Sequence, residues 1–254
     1  MPRLFSSLLL VLVVLLLPAC AKNVASNSLV VSSPESAAAG GAAVDVSNFR
    51  GTVAVRVKPW LKDIGVSYDV VADGEVKDGD AVRGAVTVHA EMDTAGELPV
   101  LVVRTGTARE GDDHRVRLRI DMPACSGVRV INHGGEVTVH GTSGAVQIEN
   151  DGGAVEVKTS HPLAAPVALT TSGGSIYLRA ARNSSAAVDA RAEGGDVVWE
   201  AADSSTKLTA FRAAPGKLTV GVNEAAHSVL LRTSGGDIHV SFLADPVGRV
   251  VYFK

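Results

Sequence analysis

Asp196 and Asp237 occupy the same position in two copies of one repeated phrase, each directly after a pair of glycines. Two carboxylates held at a fixed spacing on stacked coils could bind a divalent cation, or divide acid and base roles in glycan cleavage. In two further copies the position is held by Ser175 and Lys217, so the column reads Ser175, Asp196, Lys217, Asp237. If the copies stack in chain order, Lys217 lies between the aspartates and its charge opposes a cation there. The column then reads as an alternating-charge ladder that stabilises neighbouring coils.

Other reactive side chains lack the spacing that chemistry requires. Asp73-Gly74-Glu75 and Asp78-Gly79-Asp80 form the densest acidic loop, without the ligand order of an EF-hand. The seven histidines show no His-x-x-x-His pair, and His133 and His239 are expected to face solvent. No Gly-x-Ser-x-Gly elbow occurs. Cys125, in Pro123-Ala124-Cys125-Ser126, has no histidine close in sequence and reads as a buried thiol. Trp199 has inward parity, and the turn carrying Trp60 is expected to pack onto the strands. No catalytic, metal or cofactor site is expected, and the chain reads as non-enzymatic.

The N-terminal segment carries the one covalent site. Arg3 precedes ten unbroken apolar residues, Leu8 to Leu17. That run is short of the roughly 20 residues of a spanning helix and suits an exported leader. It ends Leu17-Pro18-Ala19-Cys20, which resembles the bacterial lipobox, with Pro18 in place of the usual small residue. The expected organisation is a lipoprotein signal peptide over 1–19, lipidation at Cys20, a flexible tether over 20–42, and one all-β domain over 43–254. Removing Arg3 with the leader takes the formal charge from −3 to −4. A mildly acidic chain with 4% aromatic residues excludes a nucleic-acid partner and a base-stacking platform. The remaining partners are the membrane, through lipid on Cys20, and an envelope protein or glycan.

The elements that would position these groups are set by the repeat. Its phrase is apolar-x-apolar, three polar or small residues, Gly-Gly, then x-apolar-x-apolar. Copies run Val128 to Val139, Val146 to Val157, Val167 to Leu178, Val188 to Trp199 and Val229 to Val240. A looser copy, Leu208 to Val220, has Pro215-Gly216, and an early one runs Val44 to Val55. The second glycines fall at 135, 153, 174, 195, 216 and 236, a period near 20 that marks stacked coils. Strand parity predicts one inward column of Val137, Val155, Ile176, Val197, Leu218 and Ile238. Thr138, Glu156, Tyr177, Val198, Thr219 and His239 then face outward. Residues 56–126 form a diverged segment with strands expected at 64–70, 85–89, 100–103 and 116–120. The tail 249–254 is expected to complete the last coil. The fold class is an all-β solenoid of short strands with Gly-Gly turns.

Three features, Asn48-Phe49-Arg50-Gly51 entering a strand, Pro59-Trp60-Leu61 leading to Val66, and the serial Ser-Gly-Gly-Asp/Ser-Ile coils, resemble the bacterial "putative adhesin" domain family of unknown function. The resemblance covers 43–254. It implies a β-solenoid at the cell envelope and transfers no catalytic residue. The expected protein is an exported lipoprotein on a bacterial membrane or cell surface, with a structural or adhesin-like role. The alternatives are an enzyme on surface polysaccharide and an envelope-stress sensor. A clustered charged row along one outer face would favour the enzyme, and the columns followed above supply none.

Overall fold

A computed structural model describes residues 24–31, 41–72, 85–107, 114–201 and 206–248. Cys20, the acidic loop 73–80 and the tail 249–254 lie outside the described residues. Within them the chain is all β. In order the strands are β1 (Val24–Val31), β2 (Ala42–Asn48), β3 (Gly51–Val57), β4 (Ile64–Ala72) and β5 (Val86–Asp93). There follow β6 (Val100–Thr107), β7 (His114–Met122), β8 (Cys125–Asn132), β9 (Val137–His140), β10 (Ala145–Asn150) and β11 (Val155–Lys158). Next come β12 (Val167–Thr171), β13 (Ile176–Ala181), β14 (Ala186–Ala192) and β15 (Val197–Ala201). The last are β16 (Leu208–Ala214), β17 (Lys217–Val222), β18 (His227–Thr233) and β19 (Ile238–Leu243).

Two sheets face each other. One runs β1-β4-β7-β3-β9-β11-β13-β19-β15 and the other β16-β17-β14-β18-β12-β10-β8-β2-β6-β5. Each coil leaves a strand of the second sheet, turns a corner and enters the first. The pairs β8/β9, β10/β11 and β12/β13 stack in parallel and in register. Alternate valines and isoleucines therefore point between the sheets, where inward side chains of both join one buried cluster.

The diverged segment is partly solenoid. β6/β7 form a coil of their own, parallel to β2/β3. β5 pairs antiparallel with β6, and β4 with β7. Val24–Val31, inside the expected tether 20–42, instead forms β1, antiparallel to β4. Without it β4 would present an open edge.

The corner is what locks one coil to the next. At four corners the last residue of the entering strand sends a buried side chain to a glycine carbonyl of the neighbouring coil. Asn132 Nδ2 donates to Gly51 O at 3.1 Å and Asn150 Nδ2 to Gly135 O at 2.9 Å. Thr171 Oγ1 donates to Gly153 O at 2.9 Å and Thr233 Oγ1 to Gly174 O at 2.7 Å. The asparagines also bond to one another, Asn48 Nδ2 to Asn132 Oδ1 at 2.7 Å and Asn132 Nδ2 to Asn150 Oδ1 at 2.9 Å. Thr105 Oγ1 extends the ladder to Asn48 Oδ1 at 2.6 Å.

Two features depart from chain-order stacking. β18/β19 lie between β12/β13 and β14/β15, so Ile238 pairs with both Ile176 and Val197. The coil seated on Gly174 donates a hydrogen bond to its carbonyl, from Thr233. Ala192, at the same position of β14, has no side-chain donor. The Leu208 to Val220 copy is not a coil at all. β16 and β17 form an antiparallel hairpin in one sheet, with Ala214 opposite Lys217. Pro215 followed by Gly216 at φ 64° makes a tight reversal within the sheet rather than a corner between sheets. Leu218 is buried as expected, but in the opposite sheet from the other five members of its column.

The corner glycines differ in what they tolerate. A Cβ on Gly135 would be driven into the Gly51 carbonyl, whereas Gly134, also at positive φ, has nothing within 4 Å. Gly135→Ala should therefore cost at least about 2 kcal/mol more than Gly134→Ala, whose penalty is backbone strain of about 1 kcal/mol. Asn132→Ala, which strands Asn48 Nδ2 and the Gly51 carbonyl, should cost about 3 kcal/mol or more. Denaturant midpoints at constant slope measure all three.

Candidate binding face

Strand parity and the parallel register fix rows across the outer face of the nine-stranded sheet. One row reads Ser67, Arg119, Ala54, Thr138, Glu156, Tyr177, His239, Val198. It contains the expected outward column except Thr219, which lies on β17. His239 is half-buried, its ring stacked on Tyr177 with centroids 4.9 Å apart and planes 12° off parallel. The next row reads Asp121, Arg56, His140, Lys158, Arg179, Ser241, Glu200. Four successive cationic or protonatable side chains thus run across β3, β9, β11 and β13. This is the charged row that the columns next to the glycines did not reveal. His140, Lys158 and Arg179 stand two residues further along each copy, and Arg56 at the same offset in the early copy.

Glu156 neutralises the middle of the row. His140 Nε2 lies 2.9 Å and Lys158 Nζ 2.6 Å from its Oε1. The hydrogen bond with His140, reinforced by Lys158 and opposed by burial, holds the Glu156 carboxyl down at about 2. At the end of the row Lys58 Nζ takes Asp121 Oδ2 at 2.8 Å. Asp121 is thus committed away from Arg56, its register partner on β3.

Beside Arg56 the sheet carries a groove of about 380 Å³ over β3, β4 and β7. Arg56, Arg117 and Arg119 line it together with Thr52, Ser67 and Thr138, and with Asp69 and Glu136. The sequence shows Arg117 and Arg119 on one face of a strand; only the β3–β7 pairing brings Arg56 next to them.

The sequence candidates resolve differently. Asp196 and Asp237 are direct neighbours, without Lys217 between them, so the alternating-charge column does not form. Asp237 Oδ1 accepts the Asp196 N–H at 2.9 Å, and the Asp237 N–H donates to Ser175 Oγ at 3.2 Å. These bonds tie corners together. Among the described residues no group of three His, Cys, Asp or Glu could hold a metal ion. Cys125 is buried, its thiol pKa pushed up by desolvation, with Sγ 3.3 Å from Gly127 O. His133 is exposed and bonds Asp151. Trp199 packs on Phe242 with centroids 5.4 Å apart. Trp60 is 76% exposed, against the expectation that its turn packs onto the strands.

A lowered carboxyl stabilises the fold above its unfolded value and loses that contribution as pH falls through the folded one. Glu156 should therefore add stability that is complete above about pH 5 and disappears towards pH 2. With discounting for partial exposure, Glu156→Gln should flatten the acid limb by about 1–2 kcal/mol, read from urea midpoints across that range.

No curated protein matches the chain in sequence. A solved structure from Clostridium sporogenes, described as a "putative cell adhesion protein", superposes with a TM-score of 0.53 at 9% identity. The match covers 86% of this chain and 99% of that one, and the likeness is one of fold. A "putative adhesin" from Bacteroides fragilis aligns with a TM-score of 0.32 at 10% identity, over 85% and 96% of the two chains. A "putative lipid binding protein" from Parabacteroides distasonis gives 0.28 at 10% identity, over 86% and 97%. The family model described as Toastrack DUF4097 matches residues 114–241. That span opens with β7 and ends within β19, taking in all the later coils of the solenoid, and the chain belongs to the Toastrack DUF4097 family.

Proposed function

We propose that the protein is a non-enzymatic binding module of the bacterial envelope, held to a membrane by lipid on Cys20. The observation that carries the binding role is the charged row of the nine-stranded sheet. It crosses seven strands, about 29 Å at the ordinary strand spacing. Its members are fixed by backbone register, so it offers an extended preformed track rather than an enclosed cleft. The description of the Clostridium sporogenes structure as a "putative cell adhesion protein" supports the same reading. The leader and Cys20 support the anchor and an exported location.

A charged row also suits the recognition half of a polysaccharide-cleaving enzyme. Against catalysis stands how its proton-exchanging members are employed. His140 and Lys158 both hold Glu156, Asp121 takes Lys58, and Glu200 accepts from Ser241 Oγ at 3.3 Å.

Cys20→Ser should move the protein from the membrane to the soluble fraction; retention in the membrane would overturn the anchor. The released chain should bind washed envelopes saturably in co-sedimentation. Incubation with acidic or neutral polysaccharide should leave polymer length unchanged by size-exclusion chromatography, and chain shortening would overturn the non-enzymatic reading.

A further inference from the structure

Among the described residues most arginines are engaged. On the ten-stranded sheet, Arg104 and Arg129 share Asp45 at 2.7 and 3.3 Å. Arg191 and Arg232 share Asp189 at 3.4 and 3.0 Å. Arg50, Arg115, Arg179 and Arg182 are also engaged. Among the described residues the arginines without an ion pair or side-chain hydrogen bond are Arg56, Arg117, Arg119 and Arg212. Three of these four line one groove.

Asp69, opposite Arg117 in the β4–β7 register, and Glu136 share the groove without an ion pair to any of the three arginines. Asp121 is held by Lys58, and Asp69 Oδ1 accepts from Ser26 Oγ at 2.6 Å. Arg117 and Arg119 stand about 7 Å apart along β7, and Arg56 lies one strand over. Arg56 pairs in register with Asp121, two positions beyond Arg119, so Arg119 lies within about one screening length of each of the other two, and like charges at that spacing repel. Guanidinium forks bind carboxylates bidentately, which is the geometry an unoccupied trio offers.

We propose that this groove binds an acidic polysaccharide, with Arg56, Arg117 and Arg119 taking its carboxylates. The assignment rests on the binding-module reading and names its ligand class. The other groove residues fit a sugar chain. Thr52, Ser67 and Thr138 carry hydroxyls for its hydroxyls, and Asp69 and Glu136 are acceptors on the same surface. A densely charged polyanion such as nucleic acid would meet those two carboxylates and a chain of net charge −3. A bilayer fits less well, because the groove offers no exposed apolar side chain to insert beside the charges. From Arg56 the row through His140, Lys158 and Arg179 continues the path, one position per strand.

The test uses the full-length Cys20→Ser chain and isothermal titration with polygalacturonate. Expected are saturable binding that weakens with salt, no binding to the carboxyl-reduced polymer, and a loss of at least about tenfold in the Arg56→Ala/Arg117→Ala/Arg119→Ala variant. Arg212→Ala, with the remaining unpaired arginine removed, should bind as the parent does. Should the triple variant melt more than about 5 °C lower, Arg119→Gln is read in its place, with weaker binding expected. Parent-like binding by the arginine variants overturns the proposal, as does equal binding of the reduced polymer. So does preference for phosphatidylglycerol vesicles or single-stranded DNA over the glycan. Envelope co-sedimentation without polygalacturonate binding sinks the groove and leaves the binding-module reading standing; loss of both sinks both.

Discussion

The fold depends on one recurring hydrogen bond, from an asparagine or threonine at the end of an entering strand to a glycine carbonyl of the coil beneath. The donor is buried, so leaving it unpaired is costly, and the acceptor is reachable only because no Cβ stands between the two corners. Each such bond fixes the neighbouring coil in height and in phase. Once the corners are in phase, parity sends every alternate side chain to the same side. The inward valine and isoleucine columns and the outward charge rows are both products of that registration.

Registration also explains why the two outer faces differ in character. On the ten-stranded sheet Asp45 and Asp189 each sit beside two arginines, and the charges close on themselves. On the nine-stranded sheet Glu156 performs a similar role for His140 and Lys158, but Arg117 and Arg119 make no ion pair, even though Asp69 lies opposite Arg117 in register. Both faces carry arginines; what separates them is the placement of a few carboxylates, column by column.

The inward pattern was legible in the repeat because burial acts on every copy alike: Val137, Val155, Ile176 and Ile238 need only parity and period. The order of the coils was not legible, since the copies ending in Ala192 and Thr233 share period and parity, and the Thr233 bond to the Gly174 carbonyl is seen only in the fold. Pro215-Gly216 matched the repeat in spacing yet reversed the chain within one sheet, because a proline-glycine turn has its own preferred geometry. That misassignment placed Lys217 between Asp196 and Asp237. The arginine groove was hidden for another reason: β7 pairs with β3 across the intervening β4, β5 and β6. The glycine periodicity carries no information about that contact.

The interposed coil has a consequence for assembly. β19 pairs with strands whose matching residues lie 62 and 41 positions earlier in the chain. A chain folding from its N-terminus therefore leaves a vacant level between β13 and β15, bounded by two unpaired edges, until residues 227–243 arrive. Most repeat arrays can grow one unit at a time, each copy resting on the last. Here the final repeat is a keystone: it closes a gap rather than extending an end, so the stack becomes continuous only when nearly the whole chain is available.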